Sequence, residues 1–357
     1  MKKNILVVDD SALMRRIICD IINTDSEFEA KDFCRDGLEA YEKLKTKTYD
    51  GVVLDVNMPR MDGLSLLEKL QEENIKATII MVSTLTTKDA DVTIRAMEYG
   101  AVDFVTKPSN VIEAKGEDFK KRLLGVLSAV LRTKTYIQKK PSVALKSDKI
   151  TIHRKKPVSG TNKLVALACS TGGPKSLHSV IPALPKDLDA PVVLVQHMPK
   201  GFTESMANRL NELSSVTVTE AKDGDVLEKG HVYVAPGGKH MEIKKNSGGS
   251  HVVKLNDMPA IGGLRPCANV MYDSLRDSSY DEILCVILTG MGADGTNGIL
   301  SLAQSKPVHV IAQNAQTCVV YGMPKAIAEA GMADEVVALQ DVAQAIIKNV
   351  GGKERWM

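Results

Sequence analysis

Short apolar runs rich in β-branched residues alternate with amphipathic, helix-length segments along almost the whole 357-residue chain. In the first part, ILVVDD, GVVLDV, ATIIMVS and AVDFVTK, all within residues 5–107, predict strands, with a weaker one near Phe28–Cys34. Stretches such as SALMRRIICDII lie between them, with apolar residues at helical spacing. Strands that are apolar throughout and separated by helices imply a parallel sheet covered on both faces. Five such βα units fit in about 130 residues. A second series, KLVALACS, APVVLVQH, GHVYVAP, DEILCVILTG and KPVHVIAQN, predicts another mainly parallel α/β sheet, with KKNSGGSHVVK (244–254) as a β-hairpin.

The two series are separated by a change of character. Arg132 to Lys156 holds nine Lys/Arg, one acidic residue and little apolar periodicity, which reads as a solvated interdomain linker. Aromatic residues that would stack on bases are almost absent from it. A net charge of +2 gives no general drive toward nucleic acid or anionic membrane, and no apolar run approaches the roughly 20 residues of a membrane span. The opening MKKNILVVDD loses its apolar run to two aspartates, unlike a signal peptide. Cys19, Cys34, Cys169, Cys267, Cys285 and Cys318 form no CxxC pair and mostly sit in apolar runs, so buried free thiols in a reducing cytoplasm are expected. The closing GGKERWM, with the single tryptophan, reads as a tail.

In a parallel α/β sheet the carboxyl ends of the strands share one edge, where ligands bind. Asp9 and Asp10 end the first strand and Asp55 the third, so three carboxylates should converge. Like charges so close call for a cation, and hard oxygen ligands suit Mg²⁺. Ser83 and Lys107 end two further strands and offer a hydroxyl and an ammonium to the same edge. An aspartate so flanked is arranged to accept a phosphoryl group, whose charge those groups offset. The blocks VVDDS, LDVNMPRMDG, MVSTLT and DFVTKPS resemble the receiver domain of two-component response regulators. That resemblance implies a flavodoxin-like (βα)5 receiver with Asp55 as phosphoacceptor. It further implies Mg²⁺ held by Asp10, Asp55 and the backbone of Asn57, with Asp9 acting through water. Ser83 and Lys107 would contact the phosphoryl group, and Phe104 would be the switch aromatic. Asn57 stands where an acidic residue is often seen.

In the second part, ALACSTGGPK ends a strand on Ser170 and opens a Gly-Gly turn. It matches neither GxGxxG, nor the Walker loop, nor GxSxG. Gly172 and Gly173 nevertheless permit a tight turn and Pro174 suits an early helix position, leaving N–H donors beside the serine. A nucleophilic serine needs a base. His153 is in the linker, His178 is on the following helix, His251 is in the hairpin, and His231 and His309 start strands at the wrong edge. His240, after the turn in VYVAPGGKH, is a weaker candidate. His197 follows PVVLVQ at the end of the next strand, which in a βαβ unit lies beside the first. In ILCVILTGMGADG, Asp294 sits on a glycine-rich loop past another strand and can supply the third member. Such residues name a reaction and not a substrate, so on chemistry alone a small-molecule esterase or amidase stays open.

The blocks ACSTGGP, VQHMPKGFT, VYVAPGGKHM, RPCANVMYDSL, LTGMGADG and IAQNAQTCVVYGMPKAI resemble the catalytic domain of the chemotaxis protein-glutamate methylesterase family. Cys169 stands where that family usually has alanine. The resemblance implies a receiver over 1–131, a basic linker over 132–160 and a doubly wound, mainly parallel α/β methylesterase domain over 161–350. It implies a triad of Ser170, His197 and Asp294, with the backbone N–H of Met291 in the oxyanion donor set and Thr171 in support. The esterase would need no cofactor, the receiver Mg²⁺. The expected partners are methyl-accepting chemoreceptors as substrate and a chemotaxis histidine kinase as phosphodonor, with no nucleic acid and no direct membrane insertion. In the inactive form the receiver is expected to cover the active-site edge of the second domain.

Overall fold

The computed structural model describes residues 2–108, 110–138 and 162–351, and divides the chain into two compact units after Gln138. The basic linker expected over 132–160 lies for the most part outside the described residues, as does the tail after Gly351.

The first unit alternates β1 (Lys3–Val8), α1 (Ala12–Asn23), β2 (Phe28–Cys34), α2 (Gly37–Thr46), β3 (Gly51–Asp55), α3 (Gly63–Glu72), β4 (Ile79–Ser83), α4 (Thr87–Glu98) and β5 (Asp103–Thr106). A short α5 (Val111–Ala114) and a long α6 (Glu117–Gln138) follow. All pairings are parallel, in the order β2-β1-β3-β4-β5. Every residue of β3, β4 and β5 is buried, so helices must cover both faces. The edge strand β2 alternates more and slips register opposite Ile5/Leu6. Ser11, Asp36, Asp62, Thr86 and Asn110 each cap the helix that follows, their side chains accepting from the N–H three residues on. Each cap is worth about 1 kcal/mol and fixes where the chain turns from strand edge to helix.

The second unit runs β6 (Lys163–Cys169), α7 (Gly173–Val180), β7 (Val192–Gln196), α8 (Phe202–Leu213), β8 (Thr217–Glu220), β9 (His231–Val234), β10 (His240–Lys245), β11 (His251–Asn256) and α9 (Ala268–Ser274). It continues with β12 (Glu282–Ile287), α10 (Thr296–Ser305), β13 (Val308–Gln313), α11 (Met323–Glu329), β14 (Glu335–Val337) and α12 (Val342–Val350). Seven strands form a parallel sheet in the order β14-β13-β12-β6-β7-β9-β8. The segment expected as a hairpin forms the antiparallel pair β10–β11, outside that sheet. The core packs Ala166, Val193, Tyr233 and Ile283 from the strands against Met271, Tyr272, Ile299 and Met323. Each fully buried apolar side chain of this size contributes roughly 1.5–3 kcal/mol relative to exposure.

Both sheets have one point where the chain reverses its direction of travel across the sheet. In the first it lies at β1, between β2 and β3; in the second at β6, between β7 and β12. A crevice opens outside the carboxyl ends of the strands at such a point.

Candidate active site and acidic pocket

At the first reversal, ligand oxygens of Asp9, Asp10 and Asp55 lie within 4.8 Å of one another. Lys107 Nζ reaches between two of them, 2.8 Å from Asp9 Oδ2 and 2.6 Å from Asp55 Oδ2. Burial pushes the Asp55 carboxyl up to about 6, and the neighbouring Asp9 adds to the rise, against the pull of Lys107 and of the Val56 N–H (2.7 Å). One ammonium for three carboxylates leaves negative charge uncompensated. Oxygen donors in that state fit a divalent cation, and the receiver-like unit carries its acidic cluster where such a cation would sit.

Other expected members of this pocket turn elsewhere. The Ser83 hydroxyl accepts from Thr93 Oγ1 (2.7 Å) and lies 3.4 Å from the Asp89 carbonyl, so it engages α4 rather than the acids. The Asn57 side chain donates to Asp89 Oδ1 (2.7 Å), leaving only its backbone for the role assigned to it. Phe104 is buried.

At the second reversal the sheet register places Cys169 opposite Gln196, the last residues of β6 and β7. Ser170 and His197 are therefore consecutive exits from neighbouring strands, and His197 N–H donates back to the Cys169 carbonyl (3.2 Å). After Ser170 the chain turns through Gly172 at φ +76° into α7, with Pro174 in its first turn. The third residue arrives from β12. His197 Nε2 lies 2.8 Å from Asp294 Oδ2, and both side chains are less than a tenth exposed.

Asp294 is held by more than the imidazole. The backbone N–H groups of Ala268 (2.6 Å), Asn269 (3.0 Å) and Gly295 (3.0 Å) and the Cys267 thiol (3.2 Å) all donate to it. Burial alone would raise this carboxyl, but His197 and these donors hold it down at about 2. An ionised carboxylate on Nε2 fixes the proton there, so Nδ1 is left as the basic nitrogen. The Ser170 hydroxyl makes no hydrogen bond among the described residues, as is common before a substrate tightens such a site.

Gly290, near the start of the same excursion from β12, packs on the serine. A Cβ there would stand 2.8 Å from Ser170 Cβ and 2.4 Å from Met323 Sδ. Met291 is exposed, and neither its N–H nor that of Thr171 has an acceptor among the described residues. His240 is fully buried on β10 with Nε2 on the Pro259 carbonyl, and His178 Nδ1 lies on the Pro174 carbonyl. His231 stacks on Tyr233, His251 on Tyr280, and His309 pairs with Glu335. None of these competes with His197 for the serine.

The residues that brace this site were not singled out from the sequence. Cys267 and Asn269 lie in the block RPCANVMYDSL, which carries part of the family resemblance but gives neither residue a role. Gln196 gives a signal: it is a polar residue, 1% exposed, closing the otherwise apolar run PVVLVQ.

The family model for the CheB methylesterase matches residues 165–346, and that for the response regulator receiver domain matches residues 5–115. A protein-glutamate methylesterase/protein-glutamine glutaminase of Bacillus subtilis is 42% identical over 360 residues, covering 98% of this chain and 99% of that one. Its namesake in Pyrococcus horikoshii is 41% identical over 350 residues, covering 98% and 94%. The crystal structure of the Thermotoga maritima CheB methylesterase catalytic domain matches 54% of this chain and all of its own, with 42% identity and a TM-score of 0.51.

Proposed function

The chain belongs to the CheB methylesterase family, with a response-regulator receiver preceding the catalytic unit in sequence, and from that premise we propose that it hydrolyses glutamyl methyl esters on chemoreceptors, and deamidates receptor glutamines, through Ser170, His197 and Asp294. The observation that carries this reading is the convergence of a serine, a histidine and a hydrogen-bonded aspartate beyond three adjacent strand ends, those of β6, β7 and β12 respectively.

Ser170 Oγ attacks the ester carbonyl carbon as Nδ1 of His197 takes its proton. The imidazolium so formed is stabilised by Asp294, which stays ionised throughout. The carbonyl electrons collect on an oxyanion held by backbone donors, Met291 N–H among them, with Thr171 in support. Loss of one such donor costs about 2.7–4 kcal/mol in other hydrolases. Collapse breaks the ester C–O bond, and the His197 proton leaves with methanol. Water, deprotonated by the same nitrogen, then attacks the acyl-serine; the serine is reprotonated and glutamate remains. With a glutamine side chain the leaving group is ammonia and the later steps are the same. No esterase step calls for a metal.

The receiver regulates this chemistry. A chemotaxis histidine kinase is the phosphodonor and Asp55 the acceptor, and Asp9, Asp10, Asp55 and the Asn57 backbone are the groups that would hold Mg²⁺. The cation supplies charge compensation for the transferred group when bound. Lys107 neutralises the arriving phosphoryl group, and Ser83 leaves its α4 partners to bond it as Phe104 shifts. The phosphoryl group adds a charge of about −1.5 to −2 and relieves restraint on the catalytic unit.

Methanol release from methylated receptor membranes tests the esterase directly. The Ser170→Ala protein is expected to release none, while a simple aryl ester is turned over poorly by the native protein. Methanol release at near-native rate by Ser170→Ala would remove the serine from the mechanism.

A further inference from the structure

Gln196 sits in a position that the chemistry above leaves unexplained. It is 1% exposed, and its amide nitrogen donates twice, to the Ser170 carbonyl (3.0 Å) and to the carbonyl of His197 (3.1 Å). Its oxygen accepts from the Cys169 thiol (3.0 Å). Both of its donors and its acceptor are engaged with residues 169, 170 and 197, the nucleophile, the base and the residue before the nucleophile. Room for this amide is reserved at Gly173, where a Cβ would fall 1.9 Å from Gln196 Oε1.

The decisive bond is the one to Ser170. A trans peptide is planar, with its C=O and N–H pointing in opposite directions. The carbonyl of the Ser170–Thr171 peptide is fixed by Gln196 and by Gly173 N–H (2.7 Å). The N–H of that same peptide belongs to Thr171, and it must then point away from Gln196. It finds no acceptor among the described residues. The following peptide is held likewise, its Thr171 carbonyl accepting from Thr289 Oγ1 (2.9 Å). In a strand-turn-helix elbow the N–H of the residue after the nucleophile is where a tetrahedral oxyanion is received.

We propose that Gln196 is a positioning residue that locks the Ser170–Thr171 peptide, making the Thr171 backbone N–H an oxyanion donor of the esterase beside that of Met291. The proposal rests on Ser170 being the nucleophile. It gives Gln196 no contact with substrate: its effect passes entirely through the peptide it orients and, by the second donation, through the backbone of His197.

The test uses the full-length protein and methylated receptor membranes, with methanol release resolved into kcat and KM and with thermal melting followed in parallel. Gln196→Met keeps the length and loses both donations. It is expected to melt like the native protein and lose about 10²-fold in kcat, with KM changed by less than about threefold, because an ångström-scale misplacement of a transition-state donor has that effect. Cys169→Ala removes the thiol but leaves both donations, and is expected to stay within about threefold of native. Gln196→Glu has a donor only when protonated, so its kcat relative to native should rise as the pH is lowered. A native-like kcat in Gln196→Met, a loss confined to KM, or an equal loss in Cys169→Ala with normal melting would each overturn the proposal. Should Gln196→Met fail to fold, Gln196→Glu decides: a pH-independent ratio to native rejects the peptide lock. Ser170→Ala run alongside separates the two readings. Activity in that variant rejects the nucleophile itself, whereas an inactive Ser170→Ala with an active Gln196→Met rejects only the lock.

Discussion

Two aspartates, each with a side chain 6% exposed, stand at the reversal points of the two sheets and are driven in opposite directions. Asp55 is pushed up to about 6 by burial, with another acid close by and two donors to answer it. Asp294, as deeply placed, is held near 2 by an imidazole, three backbone N–H groups and a thiol. Burial therefore does not set the charge of an acid; the number of donors that the fold aims at it does. The catalytic unit finishes its site from its own backbone. The receiver leaves its three carboxylates with a single ammonium, and on the proposed function a cation and a phosphoryl group would complete that site.

The strongest way to break this contrast is to remove the charge of Asp294. Asp294→Asn keeps the shape but loses the partner that fixes the proton on Nε2, and a fall of about 10⁴-fold in kcat for methanol release is expected. A fall of less than tenfold would mean that His197 needs no ionised partner. Gly290→Ala comes next. The added methyl has to displace Ser170 or Met323, and a loss of about 10²-fold in kcat is expected with the fold retained by circular dichroism.

Stability sharpens the same contrast. The Asp294 carboxyl lies below its ordinary value of 3.8, so the stability it lends is present above about pH 4 and is lost as the pH falls through about 2. Over that window the native protein should lose about 2 kcal/mol more than Asp294→Asn in acid unfolding followed by far-UV circular dichroism. Asp55→Asn carries the opposite sign. Replacing a buried, donor-poor carboxylate by a neutral amide is expected to leave the receiver as stable as native or to raise it by up to about 1 kcal/mol in urea, while abolishing phosphorylation. A marked loss of stability in Asp55→Asn would show that the Lys107 pair outweighs the burial cost.

Much of this was legible in the sequence because parallel strands buried on both faces write themselves as unbroken apolar runs. Residues that leave the carboxyl end of such a run fall on one edge whatever their separation in the chain, which is how Asp9, Asp10, Asp55, Ser170 and His197 could be gathered. Side-chain direction beyond the strand end is not written there. Ser83 occupies the expected position, yet its hydroxyl turns to Thr93, because a hydroxyl rotates to the nearest partner and α4 offers one. The donors that grip Asp294 were hidden for a related reason: backbone N–H groups are the same in every residue, and only the approach of α9 brings those of Ala268 and Asn269 to the carboxylate. Nor did composition mark where the first unit ends. The basic residues after Arg132 read as linker, while α6 continues to Gln138.

The order in which β6, β7 and β12 occur along the chain has a bearing on synthesis. A ribosome delivers Ser170 and His197 close together, but Asp294 follows His197 by 97 residues. The gap includes three strands of the main sheet, β8, β9 and β12, and the whole β10–β11 hairpin. Until β12 has docked against β6, the histidine has no carboxylate and the serine no Gly290 loop at its side. If the proposed triad is the catalytic one, a nascent chain, or one truncated before Asp294, carries an esterase that is chemically silent. On that reading, hydrolytic power waits until β12 and the loop after it have taken their place.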